Sequence, residues 1–279
     1  MFLKGKVVIK FVIRGKIMNK YPAILVSIVT VVLCVLGSFP LTTGFYLGDQ
    51  HPLPKHIITV DDEPGVADYT SIKEALNHSS PGDTIEVFSG TYKEHGINIT
   101  EEGISLIGMP YDLGNGSDTG KPFINGQGLY HVIYVMAPNV TITGFHIENR
   151  GPGSWCIIQA LYNASGLVIS NNTLLYSGDS IIYWIPWHAK IVNNTIRYAG
   201  LFYGIGLGPW DNGSGYNFIA DNVIDHCPTG INLWNDIHDT IIRNRISNCT
   251  VFGIDIAANT NTIQDNTIEN NAYGLHIYS

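Results

Sequence analysis

The strongest constraint on the fold is a phrase that repeats through the second half of the chain. An asparagine recurs at intervals of 22, 28, 22 and 22 residues, at Asn172, Asn194, Asn222, Asn244 and Asn266. Each copy has an isoleucine three residues before the asparagine and a leucine or isoleucine two residues after it. Most copies then carry Gly-Ile/Leu-x-Leu/Ile, beginning at Gly204, Gly230, Gly253 and Gly274, whereas the first copy has Ser180-Ile181-x-Tyr183.

Each copy contains three short segments in which apolar and polar residues alternate, and none shows the i, i+3, i+4, i+7 spacing of a helix. A period of about 22 residues built from such strands is typical of a solenoid in which one copy makes one turn. The sequence therefore predicts an all-β fold, a right-handed single-stranded parallel β-helix with its apolar side chains inside. The recurring asparagine suits a tight turn, because asparagine tolerates the left-handed conformation and stacked amides can hydrogen-bond.

The first residues of the sequence are predicted to be an export signal. Residues 1–20 carry six positive charges and no acid, and an apolar run follows from residue 23 to residue 36. This pattern predicts that residues 1–47 are a signal peptide or an uncleaved signal anchor, and both readings stay open. In either case residues 48–279 are expected outside the cytoplasm, in the periplasm, at the cell surface or secreted, with membrane contact only through the N-terminal segment.

The exported part is acidic. All 23 aspartates and glutamates follow residue 48, against nine lysines and arginines (15 − 6), so its net charge is about −14 with histidine neutral. This balance argues against nucleic acid as a partner and permits neutral glycans or cations.

Residues 57–96 read as the entry to the solenoid, followed by irregular turns at 97–165 and regular repeats at 166–279. A short amphipathic helix is predicted at residues 69–76, with Thr70 or Ser71 as its cap. A helix across the open end would keep the first strands from presenting unpaired edges.

The motifs DYTSIKEAL (68–76), PGDTI (81–85) and GTYKE (90–94) resemble the N-terminal cap of pectin-lyase-like β-helix proteins. The later Asn-Asn-Thr-Ile and Gly-Ile-x-Leu copies resemble the NosD-type branch, which includes periplasmic copper-binding proteins and carbohydrate-binding or sugar-hydrolase repeats. The resemblance covers residues 57–279 and implies the fold more specifically than any activity. For polysaccharide enzymes of this kind it implies catalysis on the outer face of one sheet.

The residue at x in Gly-Ile-x-Leu should point outward, so consecutive turns should stack these residues in one column. That column is predicted to contain Ile182, Gly206, Asn232, Asp255 and His276. Aromatic and acidic residues are expected beside it, namely Trp184 and Trp234, Trp210 and Asp211 in the loop inserted by the 28-residue interval, and Asp236. Because aromatic rings cover apolar sugar faces while carboxylates and amides bind hydroxyls, the column predicts a polysaccharide or surface-glycan site.

A binding or structural role is favoured over catalysis. Asp255 and His276 could form an acid–base pair, which would make the protein a polysaccharide lyase, hydrolase or epimerase. However, the chain has no paired aspartates followed by Arg-x-Lys and no Asp-Pro-His-Asp, the motifs that polygalacturonase-like and epimerase sites would imply. NosD-like copper delivery is a further alternative.

No metal site is predicted, with copper or calcium as the alternatives. The chain has 10 histidines but no His-x-His and no methionine cluster, the groups that would select copper.

Two further expectations follow from the repeat. Cys227 and Cys249 are 22 residues apart and should lie side by side on adjacent turns, either as a disulfide or as buried thiols. The sequence also stops inside a predicted strand, which predicts self-association or continuation at the C-terminal end.

Overall fold

The computed structural model describes residues 55–114, 116–208 and 214–278. The predicted export segment at residues 1–47 lies outside them, as do Trp210 and Asp211. The described residues form one short helix, α1 (Ile72–Asn77), and 28 strands, numbered here in chain order. No helix among them is long and apolar enough to cross a bilayer.

Nearly all strands belong to three parallel sheets that form the faces of one coil. Sheet 1 contains β1 (Ile57–Val60), β2 (Thr84–Val87), β5 (Ser105–Gly108), β9 (Thr141–Thr143), β13 (Val168–Ser170), β16 (Lys190–Val192), β20 (Phe218–Ala220), β23 (Thr240–Ile242) and β26 (Thr262–Gln264). Sheet 2 contains β3 (Thr91–Tyr92), β6 (Phe123–Asn125), β10 (His146–Glu148), β14 (Thr173–Ser177), β17 (Thr195–Ala199), β21 (Val223–Asp225), β24 (Arg245–Ser247) and β27 (Thr267–Glu269). Sheet 3 contains β4 (Ile97–Ile99), β8 (Ile133–Val135), β12 (Ile158–Ala160), β15 (Ile182–Ile185), β18 (Tyr203–Leu207), β19 (Ser214–Gly215), β22 (Thr229–Ile237), β25 (Phe252–Asn259) and β28 (Tyr273–Ile277). The remaining pair is β7 (Leu129–Tyr130) with β11 (Gly153–Ser154).

The register stacks equivalent residues of successive turns directly over one another. In sheet 1 one inward column runs through Ile142, Ile169, Ile191, Ile219, Ile241 and Ile263. Its members are fully buried except at the last turn, and they form one continuous hydrophobic core with the inward residues of sheets 2 and 3. The predicted parallel β-helix is confirmed.

One predicted register position is wrong. Ile182 pairs with Ile205, which belongs to the inward isoleucine column of sheet 3, and its side chain is fully buried. The register shifts between Ile182 and Ile185, so β15 has an extra residue relative to β18. Ile182 therefore belongs to the core, and Tyr183 stands beside Gly206 on the outer face. A bulge of this kind cannot be found by counting along the repeat.

The recurring asparagines form a hydrogen-bonded ladder at the corner between sheets 1 and 2. The backbone N–H of Asn172 donates to Oδ1 of Asn194 at 3.0 Å, and Nδ2 of Asn172 donates to the same oxygen at 3.2 Å. The pair of bonds recurs at each step down to Asn266. Each Nδ2 also donates to an isoleucine carbonyl of the preceding turn. Stacked amides were predicted, and they satisfy the buried corner completely.

The left-handed residue of this corner is not the ladder asparagine itself. It is the residue immediately before it, with φ between 55° and 59° at Asn171, Asn193, Asp221, Arg243 and Asp265. The ladder asparagine follows in an ordinary conformation and turns its amide inward.

The other two corners repeat this arrangement without an asparagine in every turn. Between sheets 2 and 3 the left-handed residues are Tyr176, Tyr198, His226, Asn248 and Asn270. Between sheet 3 and the next turn they are His188, Tyr216, His238 and Thr260. Several are aromatic and stack on one another, with ring centroids 4.7 Å apart for Tyr176 and Tyr198. Stacking offsets part of the conformational cost that a bulky residue meets at positive φ.

Helix α1 covers the first turns of the coil, as predicted. Ser71 caps it by accepting a hydrogen bond from the N–H of Glu74, and Ile72, Ala75 and Leu76 are buried. The carboxylate of Glu94 accepts from the N–H groups of Ile72 and Lys73, which satisfies donors of the first helical turn.

Cys227 and Cys249 follow paired positions of β21 and β24, and both are buried free thiols. Burial, the largest cause, raises the pKa of the Cys227 thiol to about 12. In the last turn Leu275 and Ile277 are 47% and 62% exposed. The self-association expected there stays a prediction.

Candidate functional site

A polar column crosses three consecutive strands on the outer face of sheet 3. Asn232, Asp255 and His276 occupy paired positions of β22, β25 and β28. Nδ2 of Asn232 donates to Oδ2 of Asp255 at 3.3 Å, and Nδ1 of His276 lies 2.9 Å from Oδ1 of Asp255. The column that was predicted from the repeat is therefore connected by hydrogen bonds in its last three members.

The register also places a second column, of three aromatic residues and one threonine, alongside the polar one. Tyr203, Thr229, Phe252 and Tyr273 pair in sequence across β18, β22, β25 and β28. Phe252 stacks face to face on His276 with a centroid distance of 4.5 Å and an interplanar angle of 4°. Tyr278 meets the same imidazole edge-on at 4.4 Å. Two aromatic rings thus fix the plane of the His276 ring, and neither was expected from the sequence motif.

The upper end of the polar column is closed by two tyrosine rings over a glycine. A Cβ added at Gly206 would come within 2.7 Å of a ring carbon of Tyr203 and 2.8 Å of one of Tyr183. Burial, with smaller contributions from Tyr183 and Asp255, raises the pKa of Tyr203 above its ordinary value. Only glycine leaves room for both rings, so the polar column ends in a pair of tyrosine rings at this turn.

The Asp255–His276 contact can support proton transfer. Because an ionised carboxylate only accepts hydrogen bonds, we assign the Nδ1 proton of His276 to the bond with Asp255. Nε2 is then left as the basic nitrogen, and the imidazole side chain is 38% exposed. An imidazole held in this way can act as a general base or bind a hydroxyl group.

The two tryptophans on the described part of this face lie at different levels. Trp234 is 45% exposed and pairs with Ala257, beyond the polar column. Trp184 lies in the bulge of β15, opposite Gly206, and its indole nitrogen is enclosed without an acceptor. They were expected at equivalent positions, and this expectation is wrong because of the bulge in β15.

Asp236 does not present its carboxylate to solvent. It is fully buried, and its Oδ2 accepts a hydrogen bond of 2.9 Å from the N–H of Trp234. Burial, with the charge of Asp239 as a smaller cause, raises the pKa of Asp236 to about 8. Asp236 therefore supports the strand end that carries Trp234.

Asp239 belongs to a second ladder that sequence reasoning missed. The N–H of Ala189 donates to Oδ1 of Asn217, that of Asn217 to Oδ1 of Asp239, and that of Asp239 to Oδ1 of Asn261, each at 2.8 Å. Oδ2 of Asp239 is buried without a partner, and burial raises the pKa of this carboxyl to about 6. The 22-residue spacing of positions 217, 239 and 261 was the available signal.

Clusters of side chains that could hold a metal occur at the opposite end of the coil. In the described part of the chain there are two such groups, Asp61 with Glu63 and Asp112, and Asp62 with Glu63 and Asp118. Both consist of carboxylates alone. The arginines of the regular turns form ion pairs on other faces, Arg243 with Asp221 and Arg245 with Glu269, both at 2.7 Å.

The sequence pattern of the family described as periplasmic copper-binding protein (NosD) matches residues 136–279. No curated protein sequence matches the chain.

Two solved structures are similar to the chain at low sequence identity. A GH136 lacto-N-biosidase from Eubacterium ramulus is 12% identical with a TM-score of 0.56, and the match covers 80% of this chain and 56% of that one. The chain thus spans little more than half the length of that enzyme. An alginate lyase from Paenibacillus sp. strain FPU-7 is 14% identical with a TM-score of 0.46, covering 80% of this chain and 99% of that one.

Proposed function

Because the chain belongs to the NosD family of β-helix proteins, we propose that it binds an extended neutral glycan along the outer face of sheet 3 in the cell envelope. The observation that carries this proposal is the column of Asn232, Asp255 and His276, hydrogen-bonded along its length and flanked by aromatic rings.

The chemistry of this face fits a sugar. Asp255 and Asn232 supply a carboxylate and an amide, which bind hydroxyl groups, and both are largely buried and therefore fixed in position. Tyr203 and Trp234 lie on either side of the column and supply apolar ring surface. Adjacent turns repeat at about 4.8 Å, close to the length of one sugar unit. A glycan lying along the coil could therefore contact one strand with each sugar unit.

Charge favours a neutral ligand. Asp255 stands in the polar column itself, and residues 48–279 have a net charge of about −14 (23 acids against 15 − 6 bases). A polyuronate would meet the like charge of Asp255 and of the acidic residues 48–279 as a whole, which costs free energy.

The described residues do not fit copper. The family description includes copper binding, but both groups of potential ligands in the described chain are all-oxygen, and copper prefers nitrogen and sulfur donors. The three described cysteines are buried, and Cys227 and Cys249 face the core. No step of the proposed function passes through copper.

Acid–base catalysis on the bound glycan is the second candidate function. It rests on the 2.9 Å contact between Asp255 and His276 and on the half-exposed imidazole. In this role Nε2 of His276 would remove a proton from the substrate, and Asp255 would stabilise the imidazolium that forms. Release of reducing ends or of unsaturated sugars would distinguish it from binding alone.

The proposal is tested by glycan-array screening and titration calorimetry of residues 48–279 against neutral and uronate oligosaccharides. We expect binding to a neutral oligosaccharide. The affinity should fall about tenfold or more in the double variant Trp234→Ala with Asp255→Ala. Tyr162→Ala is the matched control, because Tyr162 is 70% exposed in a turn beyond strand β12 and outside the polar column. Unchanged affinity in a folded double variant, or binding to no glycan at all, would contradict the proposal.

A further inference from the structure

Five carboxylates of the N-terminal turns come together at one place on the coil. Asp61, Asp62 and Glu63 follow strand β1, and Asp112 and Asp118 follow strand β5. The two loops lie near each other because β1, β2 and β5 are consecutive neighbours in sheet 1. About fifty residues of sequence separate the loops, so no motif links them.

The carboxylate oxygens converge closely. Asp61, Glu63 and Asp112 each offer an oxygen within 4.8 Å of the others, and Glu63 shares a second group of the same tightness with Asp62 and Asp118. No lysine or arginine among the described residues forms an ion pair with any of the five. Negative charges this close repel one another strongly unless a proton or a cation lies between them.

The cluster also contains buried oxygens without any hydrogen-bond donor. Asp61 is fully buried, and its Oδ1 has no partner. The same holds for one oxygen each of Asp62, Glu63 and Asp112. A buried carboxylate oxygen normally accepts at least one hydrogen bond, so four such oxygens in one cluster have the character of a cation site.

Backbone donors hold the opposite oxygen of three of these side chains. Oδ2 of Asp61 accepts from the N–H of Leu113 at 3.1 Å, Oδ2 of Asp62 from Thr91 at 2.9 Å, and Oδ2 of Asp112 from Asp118 at 3.1 Å. Each carboxylate is therefore fixed in direction, with its other oxygen left over. Such prior positioning lowers the entropy cost of binding an ion.

Glycines make room for two of the carboxylates. A Cβ at Gly90 would lie 1.9 Å from Oδ1 of Asp62, and one at Gly116 would lie 1.6 Å from Oδ2 of Asp112. Any other residue at these positions would displace the carboxylate.

We propose that Asp61, Glu63 and Asp112 bind a calcium ion that ties the loop after β1 to the loop after β5. The donor set is all oxygen and carries excess negative charge, which suits a hard divalent cation. Oxygens bound to calcium lie at about 2.4 Å from it, so two of them are at most about 4.8 Å apart. The triad has this spacing. Asp62 and Asp118 lie next to it and add negative charge through the shared Glu63.

Protons are the competing occupant. Close carboxyls can share a proton, and contact with Asp61 is the first cause that raises the pKa of Glu63 to about 7. Calcium and protons would compete for the same carboxylate oxygens, so calcium binding should weaken on acidification.

Terbium luminescence tests the proposal, because Tb³⁺ occupies calcium sites and is excited by nearby tyrosine. Tyr92 lies beside the cluster, because its hydroxyl group donates to the carbonyl of Val60 at 3.3 Å, and Val60 directly precedes Asp61. At pH 7.5 we expect saturable Tb³⁺ emission from residues 48–279, displaced by Ca²⁺ at or below about 1 mM. Ca²⁺ should also raise the melting temperature in proportion to the logarithm of its concentration.

Two variants and one control make the test specific. Asp112→Asn and Glu63→Gln should each weaken Ca²⁺ displacement at least about tenfold, whereas Glu101→Gln, which removes a carboxylate of the neighbouring turn, should leave it unchanged. Absence of Tb³⁺ emission together with no melting shift in Ca²⁺ would overturn the proposal, as would equal losses in all three variants. If the folded variants keep wild-type affinity, the site is elsewhere. None of these readouts involves a glycan, so they test the calcium site independently of the proposed glycan site on sheet 3.

Discussion

In the regular turns, Oδ1 of Asn222 accepts two hydrogen bonds from Asn194. Nδ2 of Asn222 donates to Asn244 and to the carbonyl of Ile191. In the N-terminal turns Oδ1 of Asp61 is equally buried and has no donor at all. Both regions bury polar side chains beside the same kind of parallel coil. In the ladder of Asn172 to Asn266 the amides satisfy one another and the backbone, and they need nothing further. The second region leaves carboxylate oxygens unpaired. The contrast therefore distinguishes polar groups that stabilise the fold from carboxylates that we propose to bind a cation.

The ladder can be broken at its centre, which should have the largest effect. Asn222→Leu removes the acceptor for two donors of Asn194 and the donor to Ile191. Since each buried group left without a partner costs about 1–3 kcal/mol, we expect a loss of at least about 3 kcal/mol in the free energy of unfolding. Urea denaturation of residues 48–279 measures it.

The neighbouring corner residue supplies the control. Asn193 is exposed and left-handed, with φ of 58°, so Asn193→Gly should change stability by less than about 0.5 kcal/mol. If Asn222→Leu were as stable as this control, the ladder would have no energetic role.

Asp239 combines both situations in one side chain, in the second ladder between Asn217 and Asn261. Its Oδ1 is hydrogen-bonded, whereas its Oδ2 is buried without a partner. Its pKa of about 6 lies above the ordinary value of 3.8, so protonation stabilises the fold fully below pH 3.8 and this contribution is lost as the pH rises through 6. Asp239→Asn keeps Oδ1 as the acceptor and replaces the unpartnered oxygen with an amide. We expect a gain of about 1–2 kcal/mol at pH 8 and little change at pH 4, measured by denaturant unfolding.

Asp239→Ala is the matched variant for that experiment. It removes the acceptor for the N–H of Asn217 and should destabilise at both pH values. Loss of stability in Asp239→Asn at pH 8 would mean that the carboxylate has a partner outside the described residues.

The sequence predicted the parts that the 22-residue period controls. The inward isoleucines, the stack of Asn172 to Asn266 and the column of Asn232, Asp255 and His276 all follow from counting, because each turn repeats the previous one. Counting failed at Ile182, where a bulge shifts the register by one residue. It could not bring Asp61 to Asp112, because the turns between them have unequal lengths. The rings of Phe252 and Tyr278 around His276 depend on side-chain packing that no spacing encodes.

The smallest expected change in stability concerns Glu63, a partly exposed carboxylate of the acidic cluster. Glu63 is half-buried, and contact with Asp61 raises its pKa to about 7 from 4.5. In a chelator, its protonation therefore contributes stability that is fully present below pH 4.5 and lost as the pH rises through 7. Glu63→Gln should flatten this part of the stability profile between pH 5 and 8. Denaturant unfolding in EDTA at several pH values measures the slope.

The same profile in calcium distinguishes the two occupants of the cluster. With Ca²⁺ bound, all three carboxylates of Asp61, Glu63 and Asp112 are held ionised, so the wild-type loss of stability on raising the pH should vanish or reverse. Glu63→Gln should show the same shallow slope with and without Ca²⁺. A wild-type profile that is identical in EDTA and in calcium would contradict calcium binding. The carboxyl groups of the N-terminal turns would then be satisfied by shared protons, whereas the amides of the ladder are satisfied by their own N–H groups.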